Sequence, residues 1–176
     1  PSSGKITHSN KNDKLARKIV YIDQNISLFN RSIGENIFYD HHDLNSVPEE
    51  KINNIVNLSL CGNFINSAKH NLNTEVRNLS LGQKHLVAIA RAMNESPEWI
   101  ILDEPCVYLD PITEEKLIQN LSIFGEDKTL IVITHSPKIL KLMDRILVVD
   151  SGRLICDSKI NNLQNNKFYR KFVEHG

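Results

Sequence analysis

Residues 79–110, LSLGQKHLVAIARAMNESPEWIILDEPCVYLD, decide the fold of this chain. A polar pentapeptide and an amphipathic segment precede a short apolar run, residues 99–102, which ends in Asp103-Glu104. Such a run is typical of a strand buried on both faces of a parallel sheet. Because ligands of open α/β sheets bind beyond the carboxyl ends of the strands, this acid pair suits holding a metal and activating a water. The alternative is a solvated acidic turn.

The segments on both sides of the acid pair carry a family resemblance. Residues 79–83, LSLGQ, resemble the LSGGQ signature of ATP-binding-cassette (ABC) ATPases. Residues 88–92, AIARA, match the helix that follows the signature, and residues 101–105, ILDEP, match the family's Walker B segment. Each piece alone is a weak signal, but together their order and spacing resemble an ABC cassette.

Composition narrows the class of protein. The 176 residues correspond to one domain, and Lys plus Arg equal Asp plus Glu at 21 each, which argues against a nucleic-acid partner. The three cysteines lack CxxC spacing, which disfavours a zinc site or a disulfide framework and favours a reducing cytosol. No apolar run approaches the roughly 18–20 residues that span a bilayer. We therefore expect a soluble domain.

A candidate catalytic glutamine follows the first strand that the sequence predicts. Residues 19–22, IVYI, are apolar and β-branched, as in a core strand, and Gln24 follows them. Residues 28–37, LFNRSIGENI, resemble the LF…TI…NI segment of exporter-type ABC proteins. This resemblance implies that Gln24 opens a loop that reaches Mg²⁺ and the attacking water on one side and a membrane domain on the other. An ordinary surface glutamine is the alternative.

Residues 48–60 and 61–69 have apolar side chains at helical spacing and predict two short helices. Residues 73–76, NTEV, then resemble the start of the exporter X-loop. The glycine-containing stretch that usually separates this loop from the signature is reduced to Arg77-Asn78.

The signature segment predicts a helix with an anion-binding end. Ser80 is placed to cap the helix, and Gly82 allows a close backbone approach. The resemblance implies that Ser80, Gly82 and Gln83 face the γ-phosphate of ATP held by a partner cassette, at the positive end of the helix dipole. Leu81 replaces the first glycine of the pair, and an ordinary N-capped helix is the alternative. The predicted buried stripe consists of Leu86, Ile89, Ala90 and Met93.

Two further candidates follow the acid pair. Asp110 ends CVYLD, where the family usually has TSALD, and precedes Pro111 as the N-cap of a helix over residues 111–124. The resemblance implies that Asp110 also contacts the phosphate loop of the other subunit.

Residues 129–134, TLIVIT, predict a second core strand, and His135 follows it. His135 resembles the H-loop of the family, whose imidazole bonds the γ-phosphate and orients the attacking water. A structural histidine is the alternative. Residues 144–150 and 153–156 predict two more strands, and residues 159–176 are polar with helical spacing.

The predicted fold is α/β, a P-loop NTPase-like ABC cassette with a mainly parallel sheet and an inserted helical subdomain. We place the helical subdomain at about residues 25–95 and a RecA-like core at residues 1–24 and 96–176. The resemblance also implies that the N-terminal strands and the Walker A loop are missing, because Gly4-Lys5-Ile6 is no substitute for GxxxxGK[ST].

The predicted function is that of the ATP-binding and ATP-hydrolysing part of an ABC exporter at the cytoplasmic face of a membrane. The implied cofactors are ATP and Mg²⁺, and the implied partners are a second cassette and the transmembrane domains. Asp103 would hold Mg²⁺ through water, Glu104 would be the general base, and Gln24 and His135 would position water and phosphate. Without Walker A, we expect the chain alone to be a poor ATPase.

Two alternatives stay open on the sequence. A catalytically silent cassette fragment, acting as a binding or dimerisation module, is favoured by the missing Walker A, by Leu81 and by the altered CVYLD segment. It is disfavoured by the intact Asp103-Glu104 and His135. A soluble ABC ATPase of DNA maintenance or translation is disfavoured by the exporter-like residues 28–37 and by the neutral charge.

Overall fold

A computed structural model describes residues 19–41, 43–65 and 71–163 of the chain. Within these ranges, strands and helices follow the order predicted for an α/β protein. The strands are β1 (Ile19–Ile22), β2 (Trp99–Asp103), β3 (Thr129–Ile133), β4 (Arg145–Asp150) and β5 (Arg153–Lys159). The helices are α1 (Ile33–Ile37), α2 (Glu49–Leu58), α3 (Gly62–Ile65), α4 (Leu81–Asn94), α5 (Pro111–Phe124) and α6 (Pro137–Leu140).

The predicted parallel sheet is present and has the order β1-β2-β3. Its register pairs Ile22 with Leu102, and Asp103 with Ile133. The three strands therefore end at one edge, with β2 in the middle. This register brings the segments that follow β1, β2 and β3 to one end of the sheet.

The prediction that β2 is buried on both faces is wrong for the described residues. Ile100 and Leu102 are 2% and 1% exposed and belong to one apolar cluster with residues of α4 and α5, but Trp99 is 39% exposed. Other side chains with substantial exposure in this sheet are Tyr21, Ile131 and Ile133. A run of uninterrupted apolar residues has no period of two, so the sequence could not reveal that one face is open.

Helix α4 supplies much of the core, as predicted. Leu86, Ile89, Ala90 and Met93 are all buried, and the helix contacts α1, α2 and β1. Complete burial of one such aliphatic side chain contributes about 1.5–3 kcal/mol relative to its exposed state. The apolar face of α4 therefore joins the helical segments to the sheet.

The last two strands form an antiparallel hairpin. Ser151 and Gly152 both have positive φ, 48° and 74°, as a two-residue type I′ turn requires. Arg145 on β4 makes a bidentate ion pair with Asp157 on β5, at 2.7 and 2.6 Å. Strand β5 runs to Lys159, so the predicted strand end at residue 156 and helical spacing from residue 159 are wrong there, because Lys159 pairs with Arg145.

Several predictions fall partly outside the described residues. The helix predicted over residues 61–69 is present as α3, and residues 66–69 lie outside the description. The polar segment beyond residue 163 and the N-terminal residues 1–18 also lie outside it. The boundaries of the helical subdomain and the core stay predictions.

Candidate active site

The acid pair occupies the central position at the carboxyl edge of the sheet. Asp103 is the last residue of β2, and the Glu104 amide donates a hydrogen bond to the Ile133 carbonyl oxygen at 2.9 Å. Glu104 has a φ of 47°, in the left-handed region that non-glycine residues rarely adopt. Such outliers cluster at functional sites, where the surrounding structure holds them. The backbone thus leaves the sheet abruptly at Glu104.

The structure brings Glu104 and His135 into direct contact. His135 Nδ1 lies 2.7 Å from Glu104 Oε1, and the Thr134 hydroxyl donates to Glu104 Oε2 at 3.4 Å. An ionised carboxylate only accepts hydrogen bonds, so Nδ1 is the donor in this contact. The Glu104 side chain is 19% exposed and that of His135 is 75% exposed. A largely buried carboxylate therefore lies beside a histidine that is open to solvent.

Asp103 has a partner that the sequence did not indicate. The Tyr21 hydroxyl donates to Asp103 Oδ2 at 3.2 Å. Tyr21 pairs with Ile101, which is two residues from Asp103, so the two side chains lie on the same face of the sheet. Desolvation and the hydrogen bond to Asp103 raise the pKa of Tyr21, which keeps the phenol protonated as a donor. Only the strand register could have revealed this contact.

Gln24 lies in the bend after β1 and is exposed. Within the described part of the chain, no hydrogen bond joins its side chain to Asp103, Glu104 or His135. Its predicted role toward a metal and a water stays a prediction.

The chemistry of the donor atoms fits Mg²⁺. Asp103 and Gln24 offer oxygen ligands at the sheet edge, and Mg²⁺ is usually held by one or two carboxylates together with waters and substrate phosphates. Residues 19–41, 43–65 and 71–163 contain no cluster of three or more His, Cys, Asp or Glu side chains that could hold a metal alone.

The amino end of α4 has the predicted cap. The Ser80 hydroxyl oxygen accepts a hydrogen bond from the Gln83 amide at 3.2 Å, and Gln83 Oε1 accepts one from the Ser80 amide at 2.9 Å. Because this capping box uses Gln83 Oε1 within the chain, the Leu81 and Gly82 amides are the first-turn donors that remain open. Leu81 is 51% exposed beside them.

The segment over residues 106–110 packs against the start of α4. A Cβ atom at Gly82 would lie 2.6 Å from the Tyr108 carbonyl oxygen, so glycine is required for this close approach. Asp110 caps α5, with its carboxylate accepting from the Ile112 and Thr113 amides at 3.1 Å each and from the Thr113 hydroxyl at 2.6 Å. Hydrogen bonds from Thr113 and Ile112 lower the pKa of Asp110. Its predicted cap role is confirmed, and its contact with another subunit stays a prediction.

A cleft of 520 Å³ lies beside the Gln24 bend. Its lining comes from β1 and the loop after it, the residues after α1, and α4, and includes Asp23, Phe29, Tyr39, Arg91 and Glu95. The Arg91 guanidinium donates to the Ser27 carbonyl oxygen at 2.8 Å and lies 5.4 Å from the centre of the Phe29 ring. Phe29 and Tyr39 remain 48% and 44% exposed. The cleft thus presents aromatic surface with charged groups around it.

Comparison with known proteins agrees with this geometry. The family model described as ABC transporter matches residues 1–107. The ATP-dependent permease MDL1 of Candida albicans is 36% identical over 157 residues, which cover 85% of this chain and 22% of that protein. The ATP-dependent lipid A-core flippase of Pectobacterium atrosepticum is 34% identical over 145 residues, covering 80% of this chain and 25% of the flippase.

A solved structure is similar as well. A bacterial Atm1-family ABC exporter with ATP bound superposes with a TM-score of 0.80 at 26% identity, covering 90% of this chain and 28% of the exporter. The chain therefore spans only between 22% and 28% of the length of these proteins. In the described ranges, the helices are too short or too polar to cross a membrane. The motifs, the sheet and these similarities together show that the chain belongs to the ABC transporter family, as a nucleotide-binding cassette of the exporter type.

Proposed function

We propose that this chain is the ATP-binding and ATP-hydrolysing cassette of an ABC exporter, in which hydrolysis drives transport across a membrane. The observation that carries the proposal is the 2.7 Å contact between Glu104 and His135 at the carboxyl edge of the parallel sheet. A carboxylate and an imidazole held together at this edge suit general-base activation of a water and recognition of a phosphate. The family membership supports ATP as the ligand.

In the proposed reaction, Glu104 accepts a proton from the water that attacks the γ-phosphate. The Thr134 and His135 hydrogen bonds hold its carboxylate in place, and the solvent-exposed His135 ring would lie beside the bound phosphate. Asp103, held by the Tyr21 hydroxyl, would hold Mg²⁺ through water, and Gln24 of the adjacent bend would help to position the metal and the attacking water. Bound Mg²⁺ would neutralise charge on the phosphates. Positioning and electrostatic stabilisation dominate this kind of transfer.

A second cassette would complete the site. In this proposal the Leu81 and Gly82 amides and the Ser80 hydroxyl bind the γ-phosphate of ATP carried by the partner. Helix α4 has 14 residues, long enough for a positive dipole end that attracts an anion. Asp110 lies on the adjoining segment and would face the partner's phosphate loop.

The 520 Å³ cleft is the proposed contact with the transmembrane domains. Exposed Phe29 and Tyr39 offer apolar surface for an inserted segment, and Arg91 and Glu95 offer charges of both signs at its wall. The cleft adjoins the Gln24 bend, so one loop would contact both the nucleotide and the membrane part. In this proposal the cassette lies at the cytoplasmic face of the membrane.

The test is Glu104→Gln in the full-length native protein. We expect ATP turnover to fall at least about 100-fold, because a general base typically contributes 10²–10⁴-fold, while ATP binding is retained. Glu126→Gln, an exposed glutamate after α5, is the matched control and should leave turnover unchanged. Undiminished turnover in Glu104→Gln would refute the general-base role.

One observation favours a second candidate, a cassette that binds ATP without hydrolysing it. Leu81, 51% exposed, occupies the first turn of α4 where a ligand phosphate would approach. This candidate predicts that the wild-type native protein binds Mg-ATP but shows no turnover above the Glu104→Gln background. A measurable difference between the two proteins would exclude it.

A further inference from the structure

His85 is a buried polar residue that the proposed reaction does not use. It lies in α4 with 0% of its surface exposed, and neither ring nitrogen has a hydrogen-bond partner among the residues that the structure describes. Buried polar groups without partners are rare in native proteins and cost about 1–3 kcal/mol each. The ring does have an aromatic neighbour, since the centre of the Tyr108 ring lies 5.9 Å away at a tilt of 56°. Tilted rings at this distance attract each other.

Tyr108 contacts α4 at a second point. Gly82 lies three residues before His85, on the same face of the helix. The Tyr108 carbonyl oxygen approaches Gly82 so closely that a Cβ atom there would be 2.6 Å away. The backbone of Tyr108 therefore docks at Gly82 and its ring docks at His85, which leaves this residue little freedom to shift along α4.

The segment that contains Tyr108 begins at Glu104. The Val107 amide donates to the Glu104 carbonyl oxygen at 3.3 Å, and the Leu109 amide donates to the Cys106 carbonyl oxygen at 3.0 Å. Pro105 and Cys106 between them are buried. These two consecutive turns form a short, constrained connection, so a displacement of Tyr108 would move the backbone of Glu104.

We infer that His85 is a positioning residue, which acts through its ring contact with Tyr108 to hold the 104–109 turn and thereby the Glu104 carboxylate. The inference rests on the proposed function, because it assigns His85 a role in ATP turnover. The contact with Tyr108 uses the His85 imidazole as a planar, uncharged ring. Burial lowers the pKa of His85 to about 4, so the imidazole is neutral at cytosolic pH. A second aromatic ring in its place should therefore preserve the contact.

The test compares His85→Ala, Tyr108→Ala and the double variant in the full-length native protein. We expect each single variant to lower kcat about ten- to hundredfold, since small misplacement of a reacting group has effects of this size, with KM for ATP unchanged. The double variant should lose no more than the more affected single variant, because the two residues act through one contact. The ring-preserving variants His85→Phe and Tyr108→Phe should keep kcat within about threefold of the wild type. Leu142→Ala, an exposed apolar residue after α6, is the control.

Three results would overturn the inference: unchanged kcat in both single variants, losses that multiply in the double variant, or a rise in KM with kcat preserved. Tyr108 is only partly buried, so Tyr108→Ala keeps the test decisive if His85→Ala fails to fold. A different result would refute the proposed function itself: ATP turnover in the wild type that is no higher than in Glu104→Gln.

Discussion

Glu104 illustrates how single residues prepare this site. Its left-handed backbone costs roughly 1–2 kcal/mol for a side chain other than glycine, and hydrogen bonds through its amide, its carbonyl and its carboxylate hold it there. The carboxylate is thereby aimed away from the sheet toward His135. Asp103, one residue earlier, points to Tyr21 instead. Adjacent acids thus have different partners and, in the proposed reaction, different tasks.

The Tyr21–Asp103 hydrogen bond leads to a prediction about the affinity for the metal ion. Tyr21→Phe should weaken binding of Mn²⁺, used as a probe for Mg²⁺, by roughly tenfold in the presence of ATP, because partners that orient a ligating carboxylate typically contribute 10–100-fold to metal affinity. Electron paramagnetic resonance of free Mn²⁺ measures this directly. Tyr39→Phe, which removes a hydroxyl from the cleft, should leave the affinity unchanged. Equal affinity in Tyr21→Phe and the wild type would show that the contact does not orient Asp103.

His85 predicts how stability depends on pH. Its pKa is about 4 in the folded chain and about 6.5 when unfolded, so the unfolded chain binds more protons between these values. Stability should therefore fall as the pH drops from about 6.5 to 4, and His85 should account for roughly 3 kcal/mol of this loss. Urea unfolding at pH 7, 6 and 5 should show a weaker pH dependence in His85→Phe. An equal dependence of the unfolding free energy on pH in His85→Phe and the wild type would contradict this prediction.

At the level of elements, the short helix α1 depends on side-chain hydrogen bonds. The Ser32 hydroxyl oxygen accepts from the Glu35 amide, and Glu35 accepts in return from the Ser32 amide and hydroxyl, which lowers the pKa of Glu35. Asn36, fully buried, accepts from the Phe29 amide at 2.8 Å and donates to the Phe29 and Ser32 carbonyl oxygens. A helix of five residues would be unstable by itself, so these bonds and its packing on α4 maintain it.

Asn36→Leu should destabilise the protein by about 2–4 kcal/mol, because it removes three side-chain hydrogen bonds at a fully buried position and leaves the Phe29 amide without its acceptor. Chemical denaturation measures the change in the free energy of unfolding. Asn120→Ala removes hydrogen bonds to the Leu58 and Asn57 carbonyl oxygens at a more exposed site and should cost less than about 1 kcal/mol. Similar losses of stability in Asn36→Leu and Asn120→Ala would mean that burial does not determine the cost of removing these hydrogen bonds.

At the level of the whole molecule, the sheet edge, the start of α4 and the cleft serve three proposed partners: nucleotide, second cassette and membrane domain. Helix α4 belongs to two of these sites: its first turn adjoins the 106–110 segment, and Arg91 in its last turn and Glu95 directly after it line the cleft. One rigid helix of 14 residues, about 21 Å long, therefore links two of the proposed contacts.

Tyr39→Ala in the full-length protein should lower transport more than ATP turnover, because it removes exposed aromatic surface from the cleft and leaves Glu104 and His135 in place. Tyr39→Phe retains the ring and should behave like the wild type. The measurement is the ratio of substrate moved to ATP hydrolysed in reconstituted vesicles. An unchanged ratio in Tyr39→Ala would argue against the cleft as the membrane-domain contact.

The sequence by itself determined the local features. Asp110 before Pro111 set the start of α5, Ser80 set the start of α4, and the apolar runs located β2 and β3. These signals are readable because caps and periodicity involve residues within a few positions of one another. The acid pair and His135 were likewise identified from the segments that carry them.

Only the tertiary structure decided which of these residues meet. The Glu104–His135 contact joins residues 31 positions apart, and the Tyr21–Asp103 contact joins residues 82 positions apart. Both depend on the register of parallel strands, which no local pattern encodes. The open sheet face and the contact between buried His85 and Tyr108 arise in the same way, since exposure and ring packing depend on how separate elements pack together.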